Sequence, residues 1–122
     1  MDTRYLLLEK ERFPRFHIGE GLLPANWDIW DALGITSEIE AEGFVVKQGI
    51  NFALFNAPQD VGFFTGEFPQ YFKRPWVYHV ERARYNQILI SYARRNGVGE
   101  RQGWIVKDKE EIEKSDSLNL RE

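Results

Sequence analysis

The stretch Leu6-Leu7-Leu8-Glu9 constrains the fold most, because it is short and aliphatic on both faces until it reaches the acid. Short strands of this kind are typical of parallel sheets, in which both faces are covered. Residues 4–9 are therefore predicted to form a buried strand. The residues that follow, 10–16, are predicted to form a loop in which a proline sets a turn.

Two short helices are predicted after this loop. In NWDIWDALG, Trp27, Trp30 and Leu33 fall three apart along one helical face, and the closing glycine offers a C-terminal cap. Ser37-x-x-Glu40 matches a capping box that would open a second short helix.

From residue 44 onward, the pattern of apolar residues changes from that of helices to that of strands. Residues 44–47, 50–55 and 61–66 are β-branched and aromatic and are separated by turn residues, a pattern that predicts an antiparallel meander. A strand at 76–80, a helix at 81–96 and a strand at 103–107 complete the prediction. The core-facing stripe expected on that helix consists of Ala83, Ile88, Leu89, Tyr92 and Ala93. This order of elements indicates a mixed α/β or α+β fold.

Composition narrows the class of protein. The 122 residues suit one domain or part of a larger one, and 43% of them are hydrophobic, which supplies a core. Cysteine is absent, which fits a reducing cytoplasm, and no apolar run approaches the length of a membrane span. A cytoplasmic location without a membrane partner is therefore expected. Residues 108–122 are charged and are expected to form a disordered tail.

Basic residues are concentrated in the middle of the chain. Residues 70–107 carry eight basic and two acidic groups, and Tyr71, Phe72, Lys73, Arg74 and Trp76 alternate in a way that could stack on nucleobases. The net charge is −3 and no RNA-binding signature is present, so no nucleic-acid partner is expected. The two histidines are far apart and have no ligand-like neighbours, so no metal site is expected either.

Three stretches resemble a known family. They are ERFPRFHIGEGLLP, GFVVKQGINF and WVYHVERARYNQIL, and in this order and spacing they resemble FAD-dependent halogenases and related flavin-dependent monooxygenases. The resemblance runs from Arg4 to Lys107. It implies a partial FAD-binding domain of the Rossmann-like, glutathione-reductase type over residues 1–107, with the antiparallel meander inside it.

The resemblance assigns cofactor-binding roles to four residues. Glu9 matches the acid that accepts hydrogen bonds from the adenosine ribose hydroxyls. Gly19 and Glu20 match a pair beside the flavin ring, where a glycine permits close backbone approach. Arg82 matches an arginine that contacts the diphosphate side of the cofactor, with Arg84 as a weaker second choice.

Other positions near these motifs have plainer interpretations. The family usually has serine or alanine after the Gly-Glu pair, whereas this chain has Gly21, so no hydroxyl is present there. Relatives often have aspartate in place of Asn86, a change expected to affect local helix packing. His17 is interpreted as a loop histidine bonded to backbone rather than as a catalytic base.

Lys47 is the candidate catalytic residue. Lys-x-Gly-x-x-Phe, which contains it, matches the position of the active-site lysine of halogenases. The resemblance implies that a flavin hydroperoxide converts halide into hypohalous acid, which the lysine positions beside an electron-rich aromatic substrate. A flavin reductase would be a partner of the active enzyme. The plain alternative is a strand-end lysine that extends into water.

Some family motifs are absent. The chain has no Gly-x-Gly-x-x-Gly, so no helix N-terminus with exposed amides is prepared for a pyrophosphate. The late Gly-Asp motif and Trp-x-Trp-x-Ile-Pro are missing too. We therefore expect an internal fragment of a flavin-dependent oxygenase or halogenase, with weak or no FAD binding and no turnover as a separate chain. Exposed sheet edges would then favour self-association.

A non-enzymatic interpretation stays open at this point. The aromatic residues of the predicted meander, together with FPQYFKRPW, could line a pocket in a self-sufficient α+β domain. Such a domain would bind a small ligand or form a dimer.

Overall fold

The computed structural model describes residues 4–53, 55–56 and 61–105, so the predicted tail lies outside the described residues. The strands are β1 (Leu6–Glu9), β2 (Glu20–Gly21), β3 (Val45–Lys47), β4 (Gly49–Phe52), β5 (Val61–Phe64), β6 (Val77–Val80) and β7 (Gly99–Gln102). The helices are α1 (Asn26–Leu33), α2 (Thr36–Ala41) and α3 (Arg82–Arg95), with one 3₁₀ turn at Thr65–Glu67.

The strands form three small sheets. β1 and β7 pair in parallel with Glu9 opposite Gln102, and α3 is the helix that precedes β7. β6 lies between β2 and β3 and is antiparallel to both, while β4 and β5 form an antiparallel hairpin. The mixed fold and the parallel pairing of the first strand are therefore confirmed.

The predicted three-stranded meander is wrong in one respect. The hairpin of β4 and β5 is present, but β3 pairs with β6, which places Lys47 opposite Val77. Only Gln48 separates β3 from β4, and one residue is too few to reverse the chain between antiparallel neighbours. β3 therefore takes its partner from a distant part of the sequence.

Two boundary predictions are also wrong. The last strand is Gly99–Gln102, not 103–107, because Gly103 has a φ of +79° and ends it in a left-handed turn. Residues 106–107 lie outside the described ranges. α2 begins at Thr36 after Ile35, so Ser37 lies inside the helix and is not its cap. The Thr36 hydroxyl instead donates to the Asp31 carboxylate.

The core lies between α1, α2, α3 and the inner face of the β2–β6–β3 sheet. Trp27 is fully buried, with its ring centroid 5.0 Å from that of Trp30 and 5.6 Å from that of Tyr78. Its indole N–H donates to the Trp76 carbonyl at 2.5 Å. The buried cluster consists of Leu22, Trp27, Trp30, Ile35, Ile39, Phe44, Val77, Tyr78 and Val80.

The stripe predicted on α3 is partly confirmed. Ile88, Leu89 and Tyr92 pack against the core cluster, and so does Tyr85, which the pattern did not single out. The Tyr85 hydroxyl accepts a hydrogen bond from the Trp30 indole at 3.1 Å. Across the described part of the chain, no helix combines the length and apolar character that crossing a bilayer requires.

An ion pair links the end of α3 to β7 and gives a testable pH effect. Hydrogen bonding from Arg94, with Nη2 2.8 Å from Glu100 Oε1, lowers the pKa of the Glu100 carboxyl, although burial opposes the shift. Because the folded-state pKa lies below the ordinary value of 4.5, the pair stabilises the fold above that pH, and the benefit is lost as pH falls through the folded-state pKa.

Glu100→Gln is therefore expected to lower stability slightly at pH 7 and by a smaller amount near pH 3. The effect is small because the Arg94 side chain is 45% exposed and solvent screens the pair. Urea unfolding at both pH values measures it, with Glu11→Gln, at an exposed position, as the control. An equal loss at both pH values would contradict the electrostatic explanation.

Candidate functional site

A groove of about 330 Å³ lies at one end of the β2–β6–β3 sheet. It is lined by Gly19–Gly21, Gly43–Val45, His79–Glu81 and Arg84. The groove therefore collects one segment from each strand of this sheet and the first turn of α3. Two of the predicted cofactor-binding residues, Gly19 and Glu20, lie in its wall.

The Gly19–Gly21 segment forms one wall because β2 pairs closely with β6. Glu20 lies opposite Val80 and Gly21 opposite His79. A methyl group at Gly19 would lie 3.2 Å from the Val80 carbonyl oxygen, closer than most side chains tolerate. Glycine at this position thus permits the close approach of the Val80 carbonyl, and it also leaves the backbone open to the groove.

Lys47 lies on the same sheet and does not extend into water. Its Nζ donates a hydrogen bond to the Leu22 carbonyl at 3.0 Å, so the half-buried side chain crosses β6 to reach the segment after β2. Val77, directly opposite Lys47 on β6, is completely buried. This geometry favours a positioned ammonium group over the alternative of a strand-end lysine in solvent.

His79 is a neighbour of Lys47 that sequence reasoning missed. Its Nδ1 would lie 3.0 Å, and Lys47 Nζ 3.3 Å, from a methyl group placed at Gly21. The two nitrogen-bearing side chains thus approach the same point above Gly21. The only sequence signal was the position of His79 in WVYHV, where it is the exposed residue between buried Tyr78 and Val80.

Two predicted cofactor-binding residues are brought together. Arg82 Nη1 lies 2.7 Å from Glu20 Oε2, and Arg82 Nε donates to the Asn86 side chain at 3.3 Å. Arg84 instead pairs with Glu42, with Nε 2.7 Å from Oε1, and this hydrogen bond raises the pKa of Arg84. Arg82 therefore stays beside the Gly19–Gly21 segment, whereas Arg84 is engaged by α2.

Glu9 lies apart from these residues, in the β1–β7 sheet. It is the last residue of β1, and its Oε1 accepts a hydrogen bond from the Glu11 backbone N–H at 3.0 Å. Among the described residues, no hydrogen bond or ion pair joins Glu9 to Lys47 or Arg82. The carboxyl ends of parallel strands are nevertheless where open α/β sheets bind ligands.

His17 has a different partner from the one predicted. Arg15 Nη2 lies 3.1 Å from His17 Nδ1, so the contact is with a side chain rather than with backbone. The arginine fork cannot accept a hydrogen bond, so Nδ1 is the acceptor in this contact. The contact with the Arg15 guanidinium indicates that His17 helps to hold the loop rather than taking part in catalysis.

The two basic residues before Trp76, Lys73 and Arg74, form contacts within the fold. Lys73 Nζ lies 2.5 Å from Asp31 Oδ2, and the Arg74 guanidinium lies 4.0 Å above the Trp27 ring. Arg74 also pairs with Glu40 at 3.5 Å. These contacts neutralise the cations that a nucleic-acid surface would need.

Within the described ranges, no group of three or more His, Cys, Asp or Glu side chains is placed to hold a metal ion.

The residues present fit part of an FAD site. The exposed glycine strip allows a flat ring to approach the backbone, Arg82 can donate to an anion, and Glu9 offers a carboxylate at the end of a parallel strand. The three described helices begin after Ala25, Ile35 and Glu81. None of these starts is a glycine-rich turn, so this part of the chain provides no amide cradle for a diphosphate.

Comparison of the sequence with known proteins finds relatives of one kind, although no family model matches the chain. It is 37% identical over 92 residues to a tryptophan 2-halogenase of Chondromyces crocatus, which covers 75% of this chain and 16% of the relative. It is 36% identical over 103 residues to a 1H-pyrrole-2-carbonyl-[peptidyl-carrier protein] brominase of Pseudoalteromonas luteoviolacea, covering 84% of this chain and 23% of the relative.

Solved structures agree with the sequence comparison. The myxobacterial chondrochloren halogenase, described as a variant of FAD-dependent halogenases, superposes with a TM-score of 0.71 at 40% identity, covering 82% of this chain and 23% of that one. The flavin-dependent halogenase CmlS superposes with a TM-score of 0.76, covering 88% of this chain and 19% of that one, and at 24% identity this shows a shared fold. The mixed fold is thus confirmed as part of a Rossmann-like FAD-binding domain.

The chain spans about a quarter or less of the length of each of these relatives. The resemblance first read from three motifs is confirmed by relatives that align over most of this chain. In both sequence and fold, the chain is a relative of the flavin-dependent halogenases and corresponds to one segment of these proteins.

Proposed function

We propose that the chain supplies part of the FAD site and the active-site lysine of a flavin-dependent halogenase that acts on an electron-rich aromatic substrate. The observation that supports this most is the placement of Lys47. Its ammonium group is held on the Leu22 carbonyl beside the open Gly19–Gly21 strip, instead of extending into solvent. A positioned donor next to a ring-binding surface is what transfer of a halogen to a second ring requires.

Each residue has a separate task in this proposal. Glu9 accepts hydrogen bonds from the ribose hydroxyls, and the Gly19–Gly21 backbone lies along the flavin ring. Arg82 donates to the diphosphate side, and its pairing with Glu20 keeps the guanidinium at the start of α3. An arginine with several donors can keep one carboxylate partner and still contact a phosphate oxygen.

Oxidation of halide by O₂ is the chemistry that FAD would supply if it were bound here and reduced by a flavin reductase. Lys47 then binds the resulting hypohalous acid through its ammonium N–H groups and directs the electrophilic halogen toward the substrate. Leu22, whose carbonyl holds Lys47, is itself fixed by a hydrogen bond from its N–H to the Tyr78 carbonyl at 2.9 Å. The lysine is therefore held by backbone that belongs to the core.

Binding of FAD to this chain is expected to be saturable but weaker than about 100 µM, because the amide cradle for the diphosphate is missing from the described residues. Titration with FAD, followed by amide NMR, is expected to shift the signals of Glu9 and Gly19–Gly21 first. Glu9→Gln is expected to weaken the response, and Glu11→Gln serves as the matched control.

Two outcomes would contradict this account. Stoichiometric flavin that stays bound through gel filtration would show that the cradle is not needed. Shifts at millimolar FAD that avoid both Glu9 and the Gly19–Gly21 strip would show that these residues do not form the cofactor site.

A second function is favoured by the β4–β5 hairpin. Phe52 and Phe64 on it are 54% and 65% exposed, and a groove of about 420 Å³ runs along the strands. These features suit a small α+β domain that binds an apolar ligand or self-associates, and exposed sheet edges would assist dimerisation. A discrete dimer with no response to FAD would favour this function.

A cytoplasmic location stays a prediction in either case, since it rests on the absence of cysteine.

A further inference from the structure

Three residues share one face of the β2–β6–β3 sheet. Gly21 lies opposite His79 across the β2–β6 pair, and Val45 lies opposite His79 across the β3–β6 pair. Lys47 is two residues beyond Val45 and therefore has its side chain on the same face. Gly21, Lys47 and His79 thus form one surface cluster, which we call the Gly21 cluster.

The His79 ring and the Lys47 ammonium group approach Gly21 from two sides. A methyl group there would approach His79 Nδ1 at 3.0 Å, His79 Cε1 at 3.2 Å and Lys47 Nζ at 3.3 Å. These separations are below ordinary van der Waals contact, so a side chain at residue 21 would require both neighbours to move by a few tenths of an ångström. The two side chains therefore crowd the position that a Cβ would take.

The path of Lys47 depends on this arrangement. Its side chain starts on β3, crosses above Val77 on β6 and ends at the Leu22 carbonyl. The His79 ring stands beside this path, and its Nδ1 edge faces the point that the ammonium also approaches. A flexible lysine side chain loses considerable rotamer entropy when it is fixed. A neighbouring ring that excludes some of its other rotamers reduces this loss and favours the conformation bonded to the Leu22 carbonyl.

We propose that His79 is a positioning residue for Lys47, and that Gly21 leaves the space that the two side chains share. The ring confines the lysine so that its ammonium stays on the Leu22 carbonyl beside the groove. A catalytic role for Lys47 at this position rests on the proposed function. The positioning of Lys47 by His79 does not depend on it.

Acylation of lysines in the purified chain tests the proposal without flavin or substrate. In the unmodified protein, an amine-reactive ester followed by peptide mass spectrometry is expected to label Lys47 more slowly than Lys73, whose side chain is 53% exposed. His79→Ala is expected to increase labelling of Lys47 about fivefold, because the lysine regains rotamers that the ring excluded, and to leave Lys73 unchanged. His79→Phe, which replaces the ring with another ring, is expected to restore slow labelling.

Gly21→Ser supplies an independent test of the shared space. It is expected to increase labelling of Lys47 by a similar factor, because the new side chain displaces both neighbours. In the double variant with His79→Ala, the serine fits the vacated volume, so the two effects should be strongly non-additive. Thermal unfolding of each variant is measured alongside, and His79→Ala should melt close to the unmodified protein because His79 is exposed.

Any one of four results would overturn the proposal. Three of them are equal labelling of Lys47 and Lys73 in the unmodified chain, fast labelling in His79→Phe, and additive effects in the double variant. An increase in labelling that simply follows a fall in melting temperature at all lysines would do the same. Failure of FAD binding would leave all of these measurements interpretable, since none of them involves the cofactor.

Discussion

Replacing Trp27 with alanine is expected to remove about 3–5 kcal/mol of stability, the range found for buried Trp or Phe truncations. Trp27 is fully buried, contacts Trp30 and Tyr78, and donates its indole N–H to the Trp76 carbonyl. The variant loses these contacts and leaves a cavity where α1 meets the sheet. Domains of this kind have only about 5–15 kcal/mol in total, so the variant should lose a large part of its stability.

Urea unfolding followed by far-ultraviolet circular dichroism measures this effect. Ile29→Ala is the matched control, because Ile29 is on the same helix but is 57% exposed. It is expected to change stability by less than about 0.5 kcal/mol. Equal losses in the two variants would contradict the placement of the core between α1 and the β2–β6–β3 sheet.

Replacing Lys47 with methionine is expected to abolish halogen transfer in a protein that contains the whole cofactor site. Such a protein can be made by substituting this chain for the aligned segment of the tryptophan 2-halogenase from Chondromyces crocatus, to which it is 37% identical over 92 residues. Methionine keeps the apolar stem that covers Val77 but has no ammonium group. We expect product formation to fall by at least about 100-fold, within the usual range for removal of a positioned hydrogen-bond donor, while oxidation of reduced flavin continues.

Lys73→Gln is the control for this experiment, since Lys73 pairs with Asp31 on the surface, outside the candidate site. It is expected to leave product formation unchanged. Product formation that survives in Lys47→Met would remove Lys47 from the catalytic machinery. A chimaera that folds and holds FAD but makes no product would contradict the proposed function itself.

Elements with a strong local pattern were predictable from the sequence. The strand of leucines became β1, the tryptophan-rich stretch became α1, and the long amphipathic stretch became α3. Gly34, with a φ angle of +76°, follows α1 as the closing-glycine pattern predicted, and Gly97, with a φ angle of +85°, follows α3. These features depend on residues within one or two turns of each other, so local sequence specifies them.

Strand pairing was less predictable. β7 contains Glu100 and Arg101, whose charges hid the strand, and it is defined by its parallel register with β1. β3 was predicted beside β4 because the two follow each other, yet it pairs with β6. Hydrogen bonding between strands is set by which edges meet in space, and no local pattern records that.

The candidate site shows the same division. Lys47, Glu9, Gly19, Glu20 and Arg82 were identified through the family resemblance, and their roles stay predictions. Their partners became visible only in the fold: Lys47 bonds a carbonyl 25 residues away, and Arg82 bonds a carboxylate 62 residues away. His79 carried almost no sequence signal, because a single exposed histidine in a strand is an ordinary observation.

The sequence alone therefore determined the helices, most of the strand segments, the aromatic core material and the family to which three motifs belong. Only the tertiary structure decided that β6 is the central strand of its sheet, that Lys47 crosses it, and that His79 and Gly21 lie beside the lysine. The physical reason is the distance along the sequence over which each interaction acts. Helix periodicity and turn geometry act between near neighbours, whereas strand pairing and side-chain contacts join residues that only the folded chain brings together.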